Sequence, residues 1–112
     1  MKTVNPSFDP RNQVVLDFRE CTSSFSVYEE MRKKMEWEDW YGTNLDALWD
    51  ILTGLPYRGD DFVILRPRHY HGIPFGQDEI FTSMVDKICA QFLEAQETYG
   101  EITVQIQYSE AP

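Results

Sequence analysis

The sequence predicts an α/β fold, a two-layer domain in which a three-stranded parallel sheet carries its helices mainly on one face. Hydrophobic periodicity changes along the chain in the order strand, helix, helix, strand, helix, strand. Long segments separate the strands, and such crossovers join parallel neighbours, usually with a right-handed connection. Polar Thr103, Gln105 and Gln107 alternate with apolar residues in the last strand, so the second sheet face is expected to be wet.

The first strand and the first helix are predicted within residues 13–35. Residues 13–19 alternate apolar and polar side chains, with Val15 the exception, which is typical of a strand with one better-buried face. Ser24 or Ser26 is a suitable N-cap for a helix that extends to about residue 35. The strand's inward residues are Val14, Leu16 and Phe18, and the helix's apolar side is Tyr28, Met31 and Met35.

A second helix is predicted to begin at Asn44 and to present two aspartates on its exposed side. Asn44 is a preferred N-cap residue because its side-chain oxygen can accept from an unpaired N–H of the first turn. Gly42 allows the chain to turn sharply before it. Asp46 and Asp50 lie one turn apart and well round from the apolar stripe. That stripe is predicted to be Leu45, Leu48, Trp49 and Leu52.

The two aspartates differ in what the helix alone explains. Asp46 lies in the first turn, where the helix dipole favours an acidic residue even if that residue contacts no binding partner. Asp50 lies beyond that turn and close enough to Asp46 for the like charges to cost a few tenths of a kcal/mol. Asp50 is therefore the stronger candidate for a role outside the fold.

The middle of the chain returns to the sheet. Gly54, Pro56 and Gly59 are expected to end the acidic helix and to turn the chain into a strand at residues 61–66. The uninterrupted apolar run at residues 62–65 predicts the most enclosed strand.

A long last helix and a final strand complete the predicted fold. The helix extends from about residue 77 to residue 99, and Gly100 is expected to stop it. Glu94 lies roughly opposite the helix's apolar stripe, so it is free to meet a partner. The strand at residues 102–106 points Ile102, Val104 and Ile106 inward. The helix stripe comprises Phe81, Met84, Val85, Ile88, Phe92, Ala95 and Tyr99.

Composition and charge narrow the classes of function. The chain has 112 residues, of which 42% are hydrophobic and 14% aromatic, as expected for one domain with a real core. With 19 acidic and 10 basic residues its formal charge is −9, which disfavours RNA, DNA or an anionic membrane as the direct ligand. A basic protein is the better partner, although acidity can also serve solubility alone.

Cysteine content and hydropathy indicate the compartment. Cys21 and Cys89 are far apart and lack a metal-ligand or Cys-x-x-Cys spacing, so we expect free thiols. No signal-type apolar segment follows Met1 and no run approaches a transmembrane length, which predicts a cytoplasmic protein. Residues 1–112 are expected to form one domain, with residues 1–12 a loose lead-in.

Enzymatic alternatives have weaker support. Asp46 and Asp50 could serve as paired carboxylates for acid–base chemistry or a divalent metal, but both uses need further placed groups and an enclosed site. His69 and His71 have an H-x-H spacing, yet no clear third ligand lies nearby in the sequence. An ordinary polar, locally basic loop explains residues 66–76 at least as well. We therefore predict no enzyme, no cofactor and no metal site.

The acidic helix and the residues before it contain Tyr41-Gly42, Asn44-Leu45-Asp46-Ala47-Leu48-Trp49-Asp50 and Leu52-Thr53-Gly54. These residues resemble the second helix of the barstar family of intracellular ribonuclease inhibitors. A weaker likeness covers the rest of the chain and includes Phe92-Leu93-Glu94-Ala95, which is similar to a late-helix segment of the family. The three parallel strands predicted above also agree with the architecture that the resemblance implies.

The resemblance implies a mechanism in which carboxylates occupy the phosphate positions of a ribonuclease active site. Asp50 matches the family's principal carboxylate, Asp46 a second one, and Glu94 a third from the last helix. Gly54 matches a glycine that ends the helix beside the interface. The implied partner-binding residues are Trp40, Tyr41, Thr43, Asn44, Asp46, Trp49, Asp50, Gly54 and Glu94.

Three functional hypotheses follow. The leading one is an antitoxin or immunity-type inhibitor, monomeric when free, of a basic extracellular-type or toxin ribonuclease. The second is a barstar-like module for another basic partner or a non-RNase toxin. It is favoured by Thr43 and Leu55, which replace a Glu and a Trp of the family, and Trp40 stands in place of a Tyr. The third is a metal-dependent enzyme, which the exposed helix face disfavours.

Overall fold

The computed structural model describes residues 13–35, 37–38, 42–54, 60–99 and 102–109. The predicted order of strands and helices is confirmed, with one short 3-10 turn added before the last helix. The predictions for residues 1–12, Trp40, Tyr41, residues 55–59 and Gly100 lie outside the described residues. The elements are β1 (Gln13–Asp17), α1 (Ser24–Lys34), α2 (Leu45–Gly54), β2 (Asp61–Pro67), a 3-10 turn (Pro74–Gly76), α3 (Asp78–Tyr99) and β3 (Thr103–Ser109).

The three strands form one parallel sheet in the order β1-β2-β3. Leu16, Ile64 and Ile106 are in register across it, and their side chains join those of the three helices in one hydrophobic core. The next register row, Val15, Val63 and Gln105, is half-buried to exposed. The predicted two-layer arrangement is confirmed, and β2 is enclosed because it lies between the other strands.

β1 ends earlier than predicted because the chain turns at Arg19. The Phe18 N–H still donates to the Leu65 carbonyl at 2.8 Å, but Arg19 bonds back to Asp17. Arg19 donates its backbone N–H to Asp17 Oδ1 at 3.1 Å and its Nη2 to Asp17 Oδ2 at 2.7 Å. These bonds lower the pKa of Asp17 from 3.8 to about 2. A local side-chain bond therefore replaces the end of the strand.

The N-cap of α1 is Ser23, so the prediction of Ser24 or Ser26 was wrong. Ser23 Oγ accepts from the Ser26 N–H at 3.1 Å, and Ser26 Oγ accepts from the Ser23 N–H at 3.1 Å. This reciprocal capping box satisfies two otherwise unpaired donors. Three nearby serines have the same capping propensity, so only the backbone conformation at Ser23 selects among them.

The apolar face of α2 is rotated from its predicted position. Ala47, Leu48 and Ile51 are the buried residues, at 7%, 0% and 0% exposure. The other three predicted stripe residues, Leu45, Trp49 and Leu52, are half-buried. The rotation is about 100°, one residue of a helix, and it follows from the packing of α2 against α3.

α3 agrees with the prediction over most of its length. Its buried residues include Phe81, Val85, Ile88, Phe92 and Ala95, whereas Met84 is half-buried. β3 continues to Ser109, three residues beyond the predicted end, because it pairs with the full length of β2.

The start of the predicted polar loop at residues 66–76 belongs instead to the strand and the core. Arg66 lies within β2 and is 1% exposed as a residue. Its Nη1 lies 2.8 Å from Asp86 Oδ1, and its Nε and Nη2 donate to the carbonyls of Pro67 and Arg68 at 2.9 and 3.2 Å. The guanidinium carbon is 5.4 Å from the centroid of the Tyr108 ring. The burial of Arg66 is stabilised by these partners.

Both cysteines are buried free thiols, as predicted. Burial raises the pKa of Cys21 and of Cys89, so both thiols stay neutral. In the part of the chain that the structure describes, no helix combines the length and the apolar character needed to cross a bilayer.

Candidate functional site

The candidate site is built on the start of α2, which Asn44 caps as predicted. Asn44 Oδ1 accepts from the Ala47 N–H at 2.8 Å, and the Asn44 carbonyl accepts from the Leu48 N–H at 3.1 Å. A Cβ on Gly42 would lie 3.0 Å from Nδ2 of the Asn44 side chain. Glycine at this position therefore leaves room for the capping side chain.

A buried tryptophan holds the chain that leads into the helix. Trp37 is 6% exposed, and its Nε1 donates to the Gly42 carbonyl at 3.2 Å. The Tyr28 ring of α1 meets the Trp37 ring edge to face, with 5.8 Å between centroids. The start of α2 is thereby tied to α1 through an aromatic pair and one hydrogen bond.

The exposed face of α2 presents the two aspartates as predicted. Asp46 and Asp50 are exposed, and within the described residues no basic side chain forms an ion pair with either carboxylate. Residues four apart on a helix are neighbours, so this face concentrates negative charge. Trp49 lies half-buried beside it, and its carbonyl accepts from Thr53 Oγ1 at 2.8 Å. Among the described residues, no salt bridge would have to break before these carboxylates contact a cationic surface.

Glu94 is exposed on α3, the helix against which α2 packs. It lies two residues before Gln96, whose Oε1 accepts from the Val104 N–H at the start of β3 at 2.7 Å. Glu94 therefore lies towards the end of the sheet at which β3 begins. Asp50 lies in the second half of α2, which ends shortly before β2 begins. Asp50 and Glu94 therefore lie on two helices that pack against each other.

The other predicted site residues have different outcomes. Thr43 and Asn44 are exposed at the start of α2, and Gly54 is its last residue. Trp40 and Tyr41 belong to the residues that the structure does not describe. The described part of the site is therefore one acidic helix face with one further carboxylate on the neighbouring helix.

Sequence reasoning missed two residues of α1 that lie beside the start of α2. Phe25 and Glu29 line a depression of about 290 Å³ together with Thr43, and Phe25 is 73% exposed. Ser24 and Tyr28 complete the lining. A large apolar residue in the first turn, away from the buried side of α1, was the signal that could have identified Phe25.

The structure offers no support for the alternative metal site. His69 and His71 are exposed and line a polar hollow of about 440 Å³ with residues from the start of α3. In that hollow Asp78 Oδ1 already accepts from the Ile73 N–H at 2.8 Å, and Asp86 pairs with Arg66. Across residues 13–35, 37–38, 42–54, 60–99 and 102–109, no three His, Cys, Asp or Glu side chains are grouped to hold a metal ion.

Comparisons with known proteins found one matching family and one similar protein. A family model described as Barstar (barnase inhibitor) matches residues 11–109. A protein of Bacillus subtilis strain 168 named "Putative ribonuclease inhibitor YrdF" is 38% identical over 42 residues. That match covers 38% of this chain and 46% of the relative, so the matched segment spans less than half of the relative's length.

Proposed function

Since this chain belongs to the barstar family, we propose that it inhibits a ribonuclease by placing the exposed face of α2 in the nuclease's active site. The observation that carries the proposal is the exposed pair Asp46 and Asp50, which lacks a basic partner among the described residues. Asp50 is the principal carboxylate and Asp46 the second one. Both take positions that RNA phosphates would occupy, and Glu94 adds a third contact from α3.

Electrostatics support a basic partner. The chain carries a formal charge of −9, and a ribonuclease cleft that binds phosphates is cationic. Complementary charges raise the encounter rate, and salt weakens the effect because the Debye length is about 8 Å at physiological ionic strength. The same charge disfavours direct binding of RNA or of an anionic membrane.

The proposed protein is a binding protein and not an enzyme. Its carboxylates lie on an exposed helix face, whereas acid–base or metal chemistry usually needs an enclosed site. It acts as a cytoplasmic, antitoxin or immunity-type inhibitor, monomeric when free and without a cofactor. It would protect the cell that makes it from a toxin ribonuclease.

The test is an inhibition assay against basic ribonucleases that are secreted or encoded next to this gene. Asp50→Ala should weaken inhibition by at least about 30-fold, which corresponds to the 2 kcal/mol or more of a hot-spot side chain. The barnase–barstar pair is itself a standard example of such a loss. Asp46→Ala should weaken inhibition less. The control is Glu79→Ala, which removes an exposed carboxylate at the start of α3 and should leave inhibition unchanged.

Two results would contradict the proposal. If inhibition persists unchanged in Asp50→Ala, the exposed face of α2 is not the binding site. If no basic ribonuclease is bound or inhibited at micromolar protein, the inhibitor function itself is wrong.

A second candidate is a module of the same family that binds another basic protein, such as a non-RNase toxin. Thr43 favours this candidate. It is exposed and uncharged where the family has a Glu, so one negative charge beside the aspartates is missing. Asp50-dependent binding of a purified basic toxin without nuclease activity would favour this candidate. Asp50-dependent inhibition of a ribonuclease would favour the first.

A further inference from the structure

Phe25 is an exposed aromatic residue that the core of this protein does not use. It is the second residue of α1 and is 73% exposed, whereas Val27, Tyr28 and Met31 are the buried residues of that helix. A phenylalanine offers about 150–250 Å² of surface to a partner. Keeping most of that ring in water gives the fold almost none of the stabilisation that burial would provide.

The position of Phe25 connects it to the acidic face. Phe25 and Thr43 line the same depression, so the first turn of α1 lies beside the start of α2. Thr43 directly precedes the N-cap residue Asn44, and Asp46 and Asp50 follow on the exposed side of α2. The aromatic ring therefore lies beside the N-terminal end of the helix that carries the two carboxylates.

The chemistry of the depression fits the flank of a cationic cleft. Glu29 lies one turn after Phe25, lines the same depression and pairs with Arg32 at 3.1 Å, so its carboxylate is held in place. Aromatic side chains are enriched among the anchors of protein interfaces, and they contribute most where charged neighbours surround a desolvated apolar centre. Proteins that hold single-stranded RNA offer aromatic or apolar surfaces on which bases stack. A ribonuclease thus has surfaces near its phosphate sites that an aromatic ring can cover.

We propose that the ribonuclease-binding surface extends from α2 onto the first turn of α1, where Phe25 packs against an apolar or aromatic side chain beside the nuclease's cationic cleft. This inference rests on the proposed function and concerns the same partner. It assigns the two helices different roles, because the carboxylates of α2 provide salt-sensitive attraction and Phe25 provides salt-insensitive contact area.

The test compares Phe25→Ser with the matched control Phe75→Ser. Phe75 is 95% exposed and lines a separate groove of about 480 Å³ at the start of α3. Ser24 borders both hollows, but Phe75 does not line the one that contains Thr43. The two variants therefore remove equivalent exposed rings from neighbouring surfaces.

Affinity for a ribonuclease that the parent protein inhibits should fall about tenfold in Phe25→Ser, mainly through faster dissociation. The slope of affinity against salt concentration should stay that of the parent, whereas Asp50→Ala should reduce it. Phe75→Ser should stay within about twofold of the parent, and thermal unfolding monitored by circular dichroism should be unchanged in both phenylalanine variants.

The outcomes separate this inference from the proposed function. If the parent inhibits in an Asp50-dependent way but Phe25→Ser binds within about twofold of it, the inference about α1 is wrong and the proposed function stands. Equal losses in Phe25→Ser and Phe75→Ser would also overturn the inference, since the effect would not be specific to the Thr43 depression. If the parent inhibits no ribonuclease, both proposals fall together.

Discussion

Arg66 and the exposed aspartates of α2 are charged groups in opposite environments. Arg66 is 1% exposed, yet it has an ion pair with Asp86 at 2.8 Å and two backbone carbonyls as acceptors. Asp46 and Asp50 are exposed, and the described residues supply no basic partner for either. The fold satisfies the buried charge of Arg66 and leaves the charge of α2 to solvent.

The difference indicates which charges need partners inside the fold and which are available to a binding partner. A buried charge without partners costs several kcal/mol, so its hydrogen bonds are a condition of folding. An exposed charge costs little, and it interacts with any cation that approaches. Asp17 is intermediate, because its side chain is 37% exposed and still pairs with Arg19.

The largest effect is expected at the buried end of this comparison. Arg66→Ala should lower the free energy of unfolding by about 3 kcal/mol, because it leaves a cavity in the core and removes the donors to two part-buried carbonyls. The neighbouring control is Arg68→Ala. Arg68 is exposed, and its guanidinium carbon lies 4.1 Å from the Tyr108 ring centroid. The loss of unfolding free energy in this variant should therefore be below about 1 kcal/mol. Urea unfolding of both variants measures this difference, and equal losses would contradict the comparison.

A smaller, pH-dependent effect is expected at Asp17. Its pKa falls from 3.8 to about 2 because Arg19 bonds its carboxylate. A lowered folded-state pKa stabilises the protein above pH 4, and this contribution disappears as the pH falls towards 2. Exposure of the pair holds the contribution below about 1 kcal/mol.

The measurement for Asp17 compares the unfolding free energies of the parent and Asp17→Asn. The variant should be the less stable protein at pH 7, and the difference should be much smaller near pH 2. A difference that stays the same at both pH values would show that the charge of Asp17 is not its cause.

The smallest effect is expected at the exposed end of the comparison. Asp50→Asn should raise the free energy of unfolding by a few tenths of a kcal/mol, because it removes repulsion from Asp46. Asp46→Asn should give no gain, since it also loses a favourable interaction with the helix dipole. Urea unfolding at low salt compares the free energies of unfolding of the two variants with that of the parent. A clear destabilisation by Asp50→Asn would mean that this carboxylate stabilises the fold.

Local patterns predicted most of the elements. The period of the apolar residues placed the three strands and three helices in order, and Asn44 was identified as an N-cap from its residue type. Such features depend on neighbours in the chain, which the sequence contains. Choices between similar local options failed, as at Ser23, where adjacent serines offered the same capping chemistry.

The candidate site was predicted in part. Residue spacing placed Asp46 and Asp50 on the exposed side of α2, and both are exposed in the structure. The same spacing predicted the wrong buried face of this helix. Ala47 and Ile51 are buried, whereas the predicted Leu45 and Leu52 are only half-buried. A helix with apolar residues over more than half of its circumference has several possible buried faces, and its packing partner selects one of them.

The sequence by itself determined the class of the fold, the order of its elements, the start of α2 and the exposure of its two aspartates. These follow from periodicity and capping, which act over a few residues. Only the tertiary structure placed Arg66 in the core and brought Phe25 beside Thr43. Both facts depend on contacts between residues far apart in the chain, and no local pattern encodes which distant groups will meet.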